Sequence, residues 1–404
     1  MLLPTMRKVN AMGVSERLAA LGGYAFDELD RLAAARSREG ADVIDFGVGD
    51  PTEPVPELVI EAAQRGLTRF RQAGYPSYVG SLEFRQAAAA WIEQRHQVTV
   101  DPETMVTATS GSKEAVFHTP LAFVNPGQVV LAPSPGYPPY AVGTHMAGGR
   151  CVHYPVFDSL IDNSPMLPDL DKLPEADAES LAMVWITQPH VPTGRIAGKD
   201  SLARLAGQCR ERGVLLCSDE AYSELWFDEP PQSALCTGLD GVLSFFSLSK
   251  QSTMTSYRIG FVAGDPEAIG SFRKLKTQID SGTPQFVQEA AIAALGDHTA
   301  AAQSRASYAA RADVLIPALR GVGCSVERPE AGFYLWVTVP EGATGLGFAR
   351  ELLNGTPALA VLPGEWLTET VAGLERQPGE GRVRLALVPS LKRCQEAAER
   401  LSQW

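Results

Sequence analysis

The chain has 404 residues, 45% hydrophobic and 20% charged, with a formal net charge of −12. That length suits two or three core-sized units, and an acidic balance with no basic stripe excludes a general nucleic-acid-backbone binder while leaving local anion sites open. No apolar stretch approaches the ~18 residues of a membrane span, and the opening MLLPTMRKVN lacks the long apolar core of a signal peptide.

Six cysteines (151, 209, 217, 236, 324 and 394) are scattered without a CxxC pair, and six histidines (96, 118, 145, 153, 190 and 298) show no HExxH or comparable spacing. Reduced thiols packed as small hydrophobes are expected, rather than disulfides or a metal site. The expectation is a cytoplasmic protein with no metal.

Residues 15–39 (SERLAALGGYAFDELDRLAAARSRE) are rich in Ala, Leu, Arg and Glu and predict helix, broken at Gly22-Gly23. DVIDFGVGDP follows as a short strand running into a Gly/Pro turn. From about residue 82 to 300, strands alternate with helices. GQVVLAPS, LAMVWITQP, GVLLCSDE, VLSFFSLSK and RIGFVAGD read as strands, and SKEAVFHTPLAFV and KDSLARLAGQCRER as helices. The alternation predicts an α/β fold whose mainly parallel sheet is covered by helices on both faces. This large domain is expected over 46–285. After it, a long helical stretch (288–320) leads to GFYLWVTVP, VLPGEW and RVRLALV, then to a final amphipathic helix. Residues 286–404 predict a smaller α+β domain, which the N-terminal segment 1–45 is expected to join.

Several familiar patterns fail. GVGDPT has Gly47 and Gly49 but Thr52 where GxGxxG needs its third glycine, and TSGSKEA lacks the upstream glycine of a phosphate loop. Ser247-Leu248-Ser249-Lys250 satisfies S-x-x-K, but the S-D-N and K-T-G that accompany it in acyl-enzyme hydrolases are absent from the sequence. Lys250 itself follows an apolar strand, at the strand end where α/β folds place ligands. It reads as a solvated charge, a hydrolase partner or a nucleophilic amine.

Other residues favour the amine. Asp219 lies just beyond the apolar run of LLCSDEAYSELWFDE, followed by Tyr222. Gly111 and Ser112 open a predicted helix, where free backbone N–H groups and the dipole attract an anion. Arg258 adds a second cation close to Lys250 in the chain, and Tyr137 sits in the Pro/Gly loop SPGYPPY as a candidate stacking face. Each has a plainer explanation as a cap, a surface charge or loop packing. Together they supply an imine-forming amine, a partner for a ring nitrogen and a phosphate anchor, which pyridoxal phosphate (PLP) demands.

With these residues in view, the sequence resembles the fold-type I PLP enzymes of the class I/II aminotransferase family over nearly its whole length. SDEAYSELWFDE, FSLSKQS…RIGFVAGD, GFYLWV, VLPGEWL and PGEGRVRLALV are most similar to bacterial N-succinyldiaminopimelate aminotransferases. The resemblance implies that Lys250 holds the cofactor covalently and later moves the proton between Cα and C4′. It implies that Asp219 pairs with the pyridine nitrogen and Tyr222 with the 3-hydroxyl. Gly111, Ser112, Lys113, Ser247 and Arg258 are implied around the phosphate, with Tyr137 stacked on the ring. Tyr75, in YPSYVGSLEFRQA, matches the tyrosine that reaches the phosphate across a homodimer interface. Arg384 matches the arginine that clamps the substrate α-carboxylate, aided by the Gly49 backbone. A planar guanidinium holds a carboxylate bidentately.

One stretch departs from the pattern. The family usually reads N-P-x-N-P-T-G where this chain has QPHVPTG. The asparagine that donates to the 3-hydroxyl and flanks the substrate carboxylate is replaced by Val191, and the earlier one by Gln188, kept here as a substrate-side residue. The first expectation is transfer of an amino group between an amino acid and a 2-oxo acid. Val191 motivates a second: β/γ-elimination, γ-replacement or oxidase chemistry on an amino acid in a specialised pathway. A silent PLP-fold binding module is the third, opposed by the intact Lys250, Asp219 and Arg384.

Overall fold

The computed structural model describes residues 13–22, 25–157 and 165–404. The opening MLLPTMRKVN and Gly23 of the expected helix break lie outside the described residues. Two helices, Glu16–Ala19 and Ala25–Arg38, flank that break.

The central sheet has seven strands: β2 (Val106–Thr109), β3 (Val129–Ser134), β4 (Arg150–Pro155), β5 (Leu181–Thr187), β6 (Leu215–Asp219), β7 (Val242–Ser247) and β8 (Gly260–Gly264). Their order is β2-β8-β7-β6-β5-β3-β4, parallel except for β8, which runs antiparallel to both neighbours. β3 and β7 are buried along their whole length, as expected of strands covered on both faces. Alternation along β7 divides two cores: Leu243 and Phe245 pack with Trp185 and Phe272, whereas Val242 and Phe246 pack with Ile186 and Trp91. The C-terminal ends of β3, β5, β6 and β7 share one edge, which is where such sheets place ligands.

The second unit holds the antiparallel sheet β11-β12-β9, with β9 at Tyr334–Thr338, β11 at Leu362–Pro363 and β12 at Arg382–Ala386. The helices Thr299–Gly321 and Leu391–Ser402 bury Leu315, Leu319, Ala397 and Leu401 against Leu335, Val337 and Val383. The N-terminal segment joins this unit. β1 (Ile44–Asp45) pairs in parallel with β10 (Leu359–Ala360), and Leu29 and Ala33 pack with Trp336 and Ala360.

One expectation is corrected. The long helical stretch 288–320 is two helices, Gln285–Leu295 and Thr299–Gly321, with Gly296 capping the first. The first of them buries Val287, Ala290 and Ala294 in the core of the large sheet. Among the described residues, no helix is long and apolar enough to cross a membrane.

Candidate active site

A cavity of about 490 Å³ opens at the shared strand edge, between the large sheet and β9–β12. Lys250 lines it. The strand expected to carry this residue ends at Ser247, whose hydroxyl accepts from Ser249 N (3.3 Å) and caps the one-turn helix Leu248–Gln251. That turn aims the Lys250 ammonium across the cavity, where Nζ donates to the Gly49 carbonyl (2.6 Å) and lies 5.4 Å from the Phe333 ring centroid. Burial lowers the Lys250 pKa to about 8, against the pull of Asp50, with Arg384 and Arg258 pushing the same way as burial.

Asp219 ends β6 and is buried. Its Oδ2 accepts from the Tyr140 hydroxyl (2.9 Å) and its Oδ1 from Ala221 N (3.2 Å). Burial raises its pKa to about 6, with these bonds opposing the rise, so the carboxylate is mostly ionised at neutral pH. The Tyr140 ring is itself fixed by stacking on Trp185, with centroids 4.9 Å apart, and its hydroxyl lies 3.1 Å from Thr187 Oγ1. A buried carboxylate with an open edge suits a cationic ring nitrogen.

On the opposite side the helix Ser112–Phe123 presents its N-terminus with no side-chain cap, leaving backbone N–H groups available to an anion. Gly111, at φ +77°, turns the chain there, and a Cβ at this position would lie 2.3 Å from Arg258 Nη2. Only glycine lets that guanidinium approach the helix end. Arg258 is held by Thr255 O (2.8 Å) and approaches Ser249 Oγ at 3.4 Å. Ser112, Lys113, Ser247 and Arg258 all line the cavity. The cradle therefore fits a phosphate.

Arg384, on β12, is 4% exposed; its Nη2 donates to Gly47 O (2.5 Å) and its guanidinium lies 4.3 Å from the Tyr334 ring centroid. Tyr334 comes from the adjoining β9, and its hydroxyl meets that of Tyr222 at 3.0 Å. Burial and the neighbouring Tyr334 push the Tyr222 hydroxyl well above its ordinary pKa, so it stays neutral. Gly49 is packed against Tyr334 so closely that a Cβ would fall 1.9 Å from the tyrosine oxygen.

Tyr137 and Val191 line the cavity as well, and Tyr137 meets Tyr140 edge to face at 5.8 Å. Their loops are tied together by buried His190, whose Nε2 lies 3.1 Å from Pro135 O and whose Nδ1 lies 2.8 Å from Thr193 Oγ1. A carbonyl can only accept, so Nε2 carries the proton. Burial lowers the His190 pKa to about 3 and keeps the ring neutral.

Two expected residues lie elsewhere. Gln188 is not on the cavity. Its Nε2 donates to Ala197 O (3.1 Å) and Gln232 O (3.2 Å), and its Oε1 accepts from Ala197 N (3.0 Å), so its polar atoms are spent bracing the loop from behind. The expected substrate-side role is corrected to an internal brace. Tyr75 is 87% exposed and does not line this chain's own cavity. Sequence reasoning missed Tyr140, Thr187, Tyr334 and Asp50. Tyr334 stands in the quoted GFYLWV and Thr187 ends a recognised strand, but nothing local marks either as facing a ligand.

An amine of lowered pKa, a buried carboxylate, an anion cradle and a buried arginine on one cavity define a PLP-dependent transferase of fold type I. Residues 41–401 match the family model described as aminotransferase class I and II, and the chain belongs to that family. It is accordingly a PLP-dependent aminotransferase, moving an amino group between an amino acid and a 2-oxo acid. The chain is 39% identical over 391 residues to the LL-diaminopimelate aminotransferase of Aquifex aeolicus, covering 96% of this chain and 98% of that one. It is 37% identical over 394 residues to the enzyme of the same name from Nitratidesulfovibrio vulgaris, covering 96% and 98%. Among solved structures, an aminotransferase from Neisseria meningitidis is similar at TM-score 0.87 and 31% identity, covering 96% and 99%. Aspartate aminotransferase from Thermus thermophilus with maleate is similar at TM-score 0.86 and 27% identity, covering 97% and 99%.

Proposed function

We propose that the enzyme acts on LL-diaminopimelate or a closely related amino acid, with Lys250 as the covalent anchor of the cofactor and Arg384 as the clamp on the substrate α-carboxylate. The observation that carries the site assignment is the convergence of Lys250, Asp219, Arg258 and Arg384 on one cavity. The substrate proposal rests on the names of relatives 36–39% identical over nearly the whole chain. Those relatives are named for the unacylated compound, so the N-succinyl form ranks second.

In this reading Asp219 holds the pyridine nitrogen in its protonated form, and Tyr137 covers the ring. The uncapped helix end at Ser112, with Gly111, Lys113, Ser247 and Arg258, holds the phosphate. PLP supplies the electron sink for charge developing at the substrate Cα. Lys250 would serve as the base that takes the proton from the substrate Cα. Its lowered pKa, about 8, keeps a useful fraction of the amine neutral for that task. Arg384 fixes the carboxylate and thereby which Cα bond stands perpendicular to the ring.

The chain is proposed to act as a cytoplasmic homodimer. Tyr75, Tyr78, Leu82 and Ile279 are exposed apolar or aromatic side chains, and the backbone at Gly282 packs against Ser77. Such a surface suits a second copy, placing Tyr75 at the partner's phosphate. The six free cysteines suit a reducing compartment. The proposed division puts the large domain at 46–295 and the small one at 299–404, with residues up to 45 joining the latter.

Borohydride reduction followed by peptide mass mapping tests the anchor, and the pyridoxyl adduct is expected on Lys250. A panel of amino acids headed by LL-diaminopimelate, read by the cofactor's absorption change and the 2-oxo acid formed, tests the substrate. Val191 supports a second reading, elimination or replacement chemistry: elimination is read by ammonia release without an amino acid product from an added 2-oxo acid, and replacement by a new amino acid that retains the original amino group.

A further inference from the structure

We infer that Tyr334 is a positioning residue that stands in for the amide donor missing at Val191, acting through the Tyr222 hydroxyl. The inference rests on the reading above, in which Tyr222 faces the cofactor's 3-hydroxyl. Val191 offers this side of the cavity no polar atom, and Gln188 is committed to Ala197 and Gln232. Any compensating donor has to come from another element.

Tyr334 meets that need from β9. Its hydroxyl is 3.0 Å from that of Tyr222, and it is 5% exposed. Three contacts fix it in place. Arg384 lies over its ring at 4.3 Å, Phe333 packs beside it with centroids 4.7 Å apart, and the missing Cβ of Gly49 leaves the space its oxygen occupies. The order of donors follows from the chemistry. When Tyr222 donates outward to a phenolic oxygen, its own oxygen is left as an acceptor, and Tyr334 is the hydroxyl within reach to donate to it. A chain of hydroxyls polarises each member, so Tyr222 becomes the stronger donor. Two hydroxyls in series then supply what one hydroxyl and one amide supply in parallel elsewhere in the family.

Charged and titratable groups facing the pair are Arg384 on β12, Tyr137 from the loop after β3 and Tyr308 from the helix Thr299–Gly321. Lys250, Asp50 and Asp219 line the same cavity. Tyr334→Phe leaves all of these in place and removes one oxygen.

The test is the pH titration of the bound cofactor's visible absorption in the holoenzyme. A weaker donor stabilises the phenolic oxygen's charge less, so the chromophore keeps its proton to higher pH. Tyr334→Phe is expected to raise the midpoint by about half a unit. In a Val191→Asn background, which restores the direct donor, the same change is expected to shift it by less than half as much. In a Tyr222→Phe background it is expected to shift nothing, because the relay is already cut. A Tyr334→Phe curve superimposed on the wild type, or an equal shift in all three backgrounds, overturns the inference. A wild-type chain that takes up no PLP overturns instead the reading on which it rests. A purely packing role would change stability without producing this pattern of midpoints.

Discussion

Replacing Arg384 by alanine removes the group proposed to hold the substrate carboxylate. Charge-assisted hydrogen bonds contribute about 1.5–3 kcal/mol each, so losing a bidentate pair costs roughly 3–6 kcal/mol of binding. That is a weakening of about 10²–10⁴-fold. The buried side chain also donates to Gly47 O (2.5 Å) and covers Tyr334, so truncation loosens the loop preceding Gly49 as well. The cofactor contacts proposed above involve other residues, so the variant should still take up PLP. Arg384→Lys keeps a charge but not the planar fork, and should fall between the two. Absorption titration of each holoenzyme with amino acid measures the affinities. An Arg384→Ala protein that binds PLP and takes amino acid within threefold of the wild type would refute the assignment.

In cofactor-free protein, covalent uptake of PLP should accelerate with pH and level off above about 8, because the neutral amine is the nucleophile and burial has lowered the Lys250 pKa. Asp50 opposes that lowering, so Asp50→Asn should move the midpoint down; a rise continuing to pH 10 would show an unperturbed lysine. Gly111→Ala should weaken PLP binding at least tenfold, since its Cβ falls 2.3 Å from Arg258 Nη2 at a backbone φ of +77°, and equilibrium dialysis measures this. Mixing inactive Tyr75→Ala and Lys250→Ala proteins should restore about a quarter of wild-type activity through hybrid dimers carrying one intact site. No recovery, with mixed dimers demonstrated by mass, would place Tyr75 outside the partner's site.

The large sheet was legible because its strands are enclosed on both faces and read as unbroken apolar runs, β3 and β7 most plainly. β4 escaped notice because it lies at the sheet's edge, where Arg150 is exposed and Cys151, Val152 and His153 are half-buried. The break in the stretch 288–320 was hidden by high helix propensity on both sides of Gly296. Lys250, Asp219 and Arg258 were legible because charge directly beside an apolar strand is unusual. Tyr334 was not, since its neighbours Phe333 and Leu335 are core residues and a tyrosine among them looks like one more. Gln188 was misplaced for a different reason. Sequence position puts it at the mouth of the site, but its rotamer, set by Ala197 and Gln232, turns the amide away.

β8 alone runs against the sheet, and its direction constrains how this enzyme can diversify. The parallel strands β5 and β6, for example, are joined by a crossover through the helix Lys199–Arg212, whose outer turns can take added length. The stretch 248–259 has no such slack: it leaves β7 with Lys250 and enters β8 just after Arg258. At its end a Cβ on Gly260 would lie 2.5 Å from Phe246 O and 3.2 Å from Ser112 N. The covalent anchor and the phosphate cation are therefore two ends of one short tether, pinned where the anion-binding turn touches the sheet. Lengthening it by one residue would move the two functions apart together, so substrate range can drift through the outer loops while this segment stays fixed in length.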